Sequence, residues 1–271
     1  MKRALSVVLA LAMLLSLVTV FAVAPVSAAT VIKNNSPAIP ATVGTKIALS
    51  NYSVVFDGDT AATSGITWKN GSTVITEFTP SAKGVTTLTA TSGSKTKNIY
   101  VVAKNASDSE YVLYEANLAD FASTSALTSA GWTLPETASI VDSTLSIKGT
   151  AVQSTAYLPA WLGDFGNYGF SANVKLTAVN ENTRWFALVY HSDNRAGTAS
   201  HYQMCIRDNT TAANGIEFSE FTTAGWNVIS KAAASYSTMT DAYRVIDVKV
   251  SGNDVKYSIG GSQVLYMSGS S

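Results

Sequence analysis

The residues best suited to binding a ligand lie between Arg184 and Arg207, in the stretch RWFALVYHSDNRAGTASHYQMCIR, which holds both histidines and the single cysteine. Its second half, His201 to Arg207, alternates strictly between two sets of residues. Strict alternation predicts a strand with two different faces. The first half, Trp185 to His191, is rich in aromatic and β-branched residues and lacks Gly and Pro. The two halves therefore predict a β-hairpin with a long polar loop.

The alternation divides this region into an apolar and a polar set. We expect the apolar set to fill a core: Phe186, Leu188, Met204, Ile206, Ile216 and Phe218. The opposite face then carries the candidate ligand-binding residues Trp185, His191, Gln203, Arg207 and Glu217. An aromatic ring and planar polar groups are what sugar recognition needs. The other interpretation is a structural polar ladder, with Trp185 packed under a loop.

Catalytic motifs are missing from the sequence. It contains no His-Arg pair, no H-E-x-x-H, no G-x-S-x-G and no phosphate-binding P-loop. Glu217 and Glu220 differ by three positions, so on a strand they point to opposite faces and make a poor acid and nucleophile pair. We predict no catalytic residue within this sequence.

A few further residues have two interpretations each. Asp193 and Asn194 could ligate calcium from the hairpin loop, although solvated turn residues explain them equally, and we predict neither a metal nor a cofactor. Trp161 and Trp226, in loop-like surroundings, are either exposed stacking residues or tryptophans packed at the edge of a core. Cys205 is expected to be a buried thiol.

Composition and the N-terminus indicate an exported protein. Acidic and basic residues balance at 18 each, and charged residues are only 13% of the chain, which gives no basic footprint for nucleic acid. Residues 1–28 resemble a signal peptide, with a basic start, an apolar run and Val26-Ser27-Ala28 before the expected cleavage site. An uncleaved anchor helix is the alternative. After cleavage we expect a secreted or cell-surface protein without a membrane segment.

Residues 29–104 form a first predicted module of short strands separated by turn residues, which is typical of a β-sandwich. Three segments support a family resemblance: Gly65-Ile66-Thr67-Trp68, Phe78-Thr79-Pro80 and the run from Lys83 to Ala90. In these segments the module resembles the bacterial immunoglobulin-like repeats of surface proteins. The resemblance implies that Trp68 is the core tryptophan, that Gly84 permits a turn, and that the module is a spacer or adhesive unit.

Residues 105–109 are small and polar and predict a linker. Residues 110–271 form a second module with predicted strands at Tyr111–Tyr114, Thr144–Ile147, Ser154–Leu158 and Tyr168–Leu176. The hairpin above follows, then Gly215–Phe221. Tight turns at Gly252-Asn253-Asp254 and Gly260-Gly261 separate the last strands.

Three stretches of this module, DFGNY, WFALVYHSDN and VKVSGNDVKYSIGGSQVL, resemble the concanavalin-like jelly roll of laminin-G-type and glucanase-like modules. The predicted fold class is therefore all-β, an immunoglobulin-like sandwich followed by a jelly roll. The family adds a closing strand after the Gly-Gly hairpin, which pairs near the first strand. We therefore expect the sequence to be the N-terminal piece of a longer protein. We also expect the strand Tyr111–Tyr114 to lack a neighbouring strand.

The linked arrangement resembles the non-catalytic N-terminal region of large secreted Gram-positive enzymes. We therefore expect a spacer followed by a module that binds a glycan or cell-wall polysaccharide. Two alternatives stay open. One is the accessory region of a secreted glycerophosphodiester phosphodiesterase or glycoside hydrolase with its catalytic domain downstream. The other is a purely structural display or adhesion module.

Overall fold

The structure is a computed structural model that describes residues 29–58, 60–149, 154–176, 185–192, 200–207, 215–232 and 242–268. Strands dominate these ranges, so the predicted all-β class is confirmed. The expected signal peptide, residues 1–28, lies outside them. No helix within them is long and apolar enough to cross a membrane.

The chain divides into two compact units. One takes in the described residues up to Ile32 together with Ile39–Ser107. The other takes in Lys33–Ala38 and the chain from Asp108 onward. Residues 108–109 of the expected linker thus group with the second unit.

In the described residues of the first unit, ten short strands are separated by turns that contain glycine. They are β1 (Thr30–Ile32), β2 (Ala38–Thr42), β3 (Ile47–Ala48), β4 (Tyr52–Val55), β5 (Ala61–Ala62), β6 (Thr67–Asn70), β7 (Thr73–Ile75), β8 (Glu77–Phe78), β9 (Gly84–Ser92) and β10 (Lys95–Lys104). The largest sheet has the order β2-β10-β9-β6-β7, beside a sheet β1-β4-β5 and the pair β3-β8.

The core of the first unit forms where alternating strand residues point inward. Leu88 and Ala90 of β9 are fully buried while their threonine neighbours are not, as the alternation predicts. Trp68 is only 5% exposed and belongs to the same core cluster. Gly84 begins β9 with a φ of 127°, a conformation that favours glycine. Trp68 and Gly84 therefore occupy the positions predicted for them.

The described part of the second unit contains one α-helix, α1 (Thr124–Ser129), and two 3₁₀ turns at Leu118–Asp120 and Ala160–Asp164. Ser123 caps α1, its hydroxyl accepting a hydrogen bond from the amide of Ala126 at 3.3 Å. The strands are β11 (Ala138–Val141), β12 (Thr144–Ile147), β13 (Tyr168–Val174), β14 (Trp185–Tyr190), β15 (His201–Arg207), β16 (Ile216–Thr222), β17 (Gly225–Ala232), β18 (Arg244–Ser251), β19 (Asp254–Ile259) and β20 (Ser262–Met267).

Two antiparallel four-stranded sheets enclose the core of the second unit. One has the order β13-β18-β19-β20 and the other β14-β15-β16-β17. Residues of both sheets form one apolar cluster that includes Met204, Phe218, Val248 and Tyr257. The two predicted tight turns join β18 to β19 and β19 to β20, and the side-chain oxygen of Asn167 fixes the first by accepting from the amide of Gly252 at 2.7 Å.

Two predicted strands of this unit are wrong. Tyr111–Tyr114 is irregular, and all four residues are half-buried instead of alternating. The hydroxyl of Tyr114 accepts a hydrogen bond from Trp132 Nε1 at 2.6 Å, and its ring lies edge-on to Trp161 at 6.4 Å. Side-chain contacts thus hold Tyr114, and none of the four residues belongs to a strand. Within the described residues, Ser154–Leu158 makes only a single bridge, between Tyr157 and Thr133.

Candidate functional site

The β14-β15-β16-β17 sheet presents an apolar and a polar face, divided as the alternation predicts. Met204, Ile206, Ile216 and Phe218 are buried in the core, and Phe186 and Leu188 pack against it. The opposite face, which we call the polar face, carries Gln203, Cys205, Glu217 and Ser219. Backbone register aligns Gln203 with Ser219 and Cys205 with Glu217 across β15 and β16.

The polar face is buried in its middle. Gln203 is 2% exposed and Glu217 is 5% exposed, and Cys205 is fully buried as predicted. The side-chain nitrogen of Gln203 donates to Cys205 Sγ at 2.7 Å. The polar ends of Gln203 and Glu217 thus do not reach the surface, and their assignment as ligand-binding residues stays a prediction.

The other three candidates occupy the ends of the sheet. Register places Trp185 of β14 directly opposite Arg207 of β15. His191 follows β14 in a left-handed conformation with a φ of 48° and is exposed. Its ring lies 6.0 Å from Tyr168 and 5.7 Å from Tyr190, centroid to centroid, on the side of the core. The structure therefore places Gln203 and Glu217 diagonally on one face of adjacent strands, whereas His191 lies beside Tyr168 and Tyr190.

An aromatic ladder crosses three strands at one end of the polar face. His201 of β15 pairs with Phe221 of β16, and Phe221 pairs with Trp226 of β17. The ring centroids of His201 and Phe221 are 5.4 Å apart, and those of Phe221 and Trp226 are 4.7 Å apart. His201 also contacts Trp226 edge-on at 5.6 Å. The three rings form one contiguous group, called the aromatic ladder below.

Exposure increases along the ladder. His201 is 5% exposed, Phe221 is half-buried and Trp226 is 47% exposed. Val228, which shares the face with Trp226, is exposed as well. The indole of Trp226 is thus exposed to solvent, and it contacts the half-buried ring of Phe221 and the buried ring of His201.

Sequence reasoning overlooked this site because it assigned Ala224-Gly225-Trp226-Asn227 to a loop. In the structure Gly225 begins β17, and Thr222 and Gly225 flank a tight hairpin turn. The available signal was the run from Trp226 to Ile229, whose residues suit a strand and follow β16 at hairpin spacing. Trp226 combines both interpretations, because it is 47% exposed and also packs against Phe221 and His201, and its stacking on a ligand stays a prediction. Trp161 instead lies half-buried between Tyr114 and Phe165.

A cluster of tyrosines lies on the core side of the same sheet. Tyr190 contacts Tyr202, Phe218 and Tyr257 at centroid distances of 6.0, 6.1 and 6.0 Å. Burial raises the pKa of Tyr168 to about 12. Burial raises the pKa of Tyr190 and Tyr257 further still. These hydroxyls stay protonated at neutral pH, so the cluster supplies packing and no charge.

Neither metal ligation nor paired-carboxylate chemistry finds support in the described ranges. No three His, Cys, Asp or Glu side chains there converge so that they could hold a metal ion. Glu217 lies on the polar face, whereas Glu220 pairs with Tyr202 on the other side of the strand. The calcium candidates Asp193 and Asn194 fall outside the described residues.

Comparisons with known proteins add one similar structure. No protein-family model matches the chain, and no curated protein sequence matches it either. Among solved structures, it is similar to the carbohydrate binding module CBM66 from Bacillus subtilis, with 13% identity and a TM-score of 0.33. The match covers 39% of this chain and 61% of that one. A likeness of this degree establishes neither a shared site nor a shared ligand.

Proposed function

We propose that this chain is a secreted, non-catalytic region whose second unit binds a glycan and whose first unit acts as a spacer. The observation that carries the proposal is the aromatic ladder, in which a 47% exposed Trp226 rests on Phe221 and His201. The immunoglobulin-like and jelly-roll assignments of the two units belong to the same proposal.

The chemistry of the ladder suits a neutral sugar ring. An aromatic face carries partial negative charge, which attracts the weakly positive C–H groups on one side of a pyranose. Phe221 and His201 back the indole, so little side-chain freedom is lost when a sugar stacks on it. β-1,4-linked chains expose such C–H faces along their length, which makes them the first ligands to test.

The proposal is tested by retardation in native gels containing hydroxyethylcellulose or mixed-linkage β-glucan, and by co-sedimentation with purified peptidoglycan. Wild-type protein should be retained by at least one of these, and Trp226→Ala should weaken the association at least about tenfold, as expected for a central tryptophan. Trp226→Phe should retain part of the affinity because it keeps a flat ring.

Tyr243→Ala is the matched control, because Tyr243 is another exposed aromatic residue, 49% exposed. It should bind like the wild type. The proposal fails if the wild type binds none of the three probes, or if Trp226→Ala and Tyr243→Ala bind equally well.

A further inference from the structure

A row of four exposed residues crosses the outer face of the β13-β18-β19-β20 sheet. Register aligns Gly169 with Lys249, Lys249 with Lys256, and Lys256 with Tyr266. All four are exposed. The row lies on a different sheet from the aromatic ladder and uses none of its residues.

The two lysines are placed unfavourably for the free protein. Residues directly opposite on an antiparallel pair have Cβ atoms about 5 Å apart, and like charges at that position are destabilising. Among the residues that the structure describes, neither lysine lies within ion-pair distance of a carboxylate. Lys256 Nζ instead lies 5.4 Å from the ring centroid of Tyr266. The row thus holds two neighbouring ammonium groups, and an anion bound between them would offset their mutual repulsion.

The surroundings of the row indicate which anion fits. Gly169 has no side chain, and the Lys249 stem lies over it, with Cγ 4.0 Å from where a Cβ would stand. Asp247 and Asp254 lie on the two flanking rows, opposite Ser258 and Ser251. With two lysines and two aspartates the face is close to neutral, so it suits a ligand that brings one anionic group to the lysines and hydroxyl groups to the aspartates. A sugar with one carboxylate, several hydroxyls and an apolar C–H side matches the lysines, the aspartates and the Tyr266 ring.

We propose that this row is a second binding site, specific for a carboxylated sugar of the uronic acid type. Lys249 and Lys256 bind the carboxylate through charge-assisted hydrogen bonds. The exposed ring of Tyr266, 45% exposed, stacks on the sugar. Asp247 accepts hydrogen bonds from hydroxyl groups.

The test is affinity electrophoresis of the whole chain in gels containing polygalacturonate, with its methyl-esterified form as the uncharged ligand. Wild-type protein should be retarded by polygalacturonate and much less by the ester, and added salt should weaken the retardation. Lys249→Gln/Lys256→Gln should weaken the association about tenfold or more. The same variant should melt no lower than the wild type, because it removes a like-charge pair.

The matched control is Lys148→Gln/Lys175→Gln, which changes two other exposed lysines and lowers the net charge equally. It should bind polygalacturonate like the wild type. Equal loss in both double variants would show an unspecific charge effect and overturn the proposal. So would the absence of wild-type retardation, or preferential binding of poly(glycerol phosphate). Trp226→Ala should leave this binding unchanged, which separates the outcome from that for the aromatic ladder.

Discussion

Phe221 and Trp226 lie directly opposite each other across the β16–β17 hairpin, with ring centroids 4.7 Å apart and planes inclined by 50°. This pairing fixes the indole on an edge strand, where a lone exposed tryptophan would sample several rotamers. It also connects the exposed ring to the buried His201. The site therefore depends on a residue, Phe221, that sequence reasoning had assigned only to the end of a strand.

Changing Phe221 should weaken glycan binding without removing the stacking ring. In Phe221→Ala, Trp226 keeps its place in the sequence but loses its support, so ordering the indole on binding becomes more costly. We expect weaker retention by the β-glucan than the wild type shows, but stronger than that of Trp226→Ala. Phe221→Leu, which preserves bulk, should fall between Phe221→Ala and the wild type. Equal retention by wild type and Phe221→Ala would show that the ladder does not position Trp226.

The buried tyrosines should make the second unit sensitive to alkaline pH. The pKa values of Tyr190 and Tyr257 are raised by burial, whereas a tyrosine in the unfolded chain ionises near pH 10. Below pH 10 both states are protonated, so stability is unaffected. Above it only the unfolded state loses the proton, and the free energy of unfolding should fall by about 1.4 kcal/mol per pH unit for each tyrosine.

Guanidinium unfolding at several pH values between about 8 and about 11.5 measures how the free energy of unfolding changes, since this range brackets the ionisation of a free tyrosine. Tyr257→Phe should reduce the slope above pH 10, and the exposed Tyr266→Phe should not. Identical slopes in the wild type and Tyr257→Phe would contradict the burial argument.

Particular residues show how far the sequence predicts this fold. The alternation of His201–Arg207 correctly divides the apolar from the polar face, and Gly252 and Gly260-Gly261 correctly mark the last two turns. These signals are local, since side-chain direction and turn conformation depend on neighbouring residues. Local signals fail at Tyr111–Tyr114, where an apolar run that suits a strand is irregular and Tyr114 contacts Trp132 and Trp161, which lie far along the chain.

The candidate site shows the same division. Sequence placed Gln203 and Glu217 on one face, which the register confirms. It did not predict their burial, because periodicity reports which way a side chain points and not what packs above it. It missed the aromatic ladder because the pairing of Phe221 with Trp226 depends on where the hairpin turns.

The two units should unfold separately, because each has a core cluster of its own. Trp68→Ala removes a buried side chain and should cost the first unit about 3–5 kcal/mol. Differential scanning calorimetry should show one transition moving down while the other stays. The exposed Val74→Ala serves as the control. A single calorimetric transition that shifts as a whole would contradict this division.

Limited proteolysis should cut near residues 105–109 and leave two resistant pieces.

Export should remove the N-terminal segment. The small residues Val26-Ser27-Ala28 place the expected cleavage after Ala28. Mass spectrometry of protein secreted from a Gram-positive host should therefore find Ala29 at the N-terminus. Recovery of the chain in the membrane fraction with Met1 intact would favour the anchor helix instead.

The most direct measurement of the central claim is the response of the Trp226 indole to a sugar. In ¹⁵N-labelled protein its Nε1–H resonance is identified by its absence in Trp226→Phe. Titration with mixed-linkage β-glucan oligosaccharides should shift this resonance progressively to saturation, while the resonance of the buried Trp68 stays in place. A Trp226 resonance that does not move while the protein binds the oligosaccharide, or no binding at all, would contradict glycan recognition by the aromatic ladder.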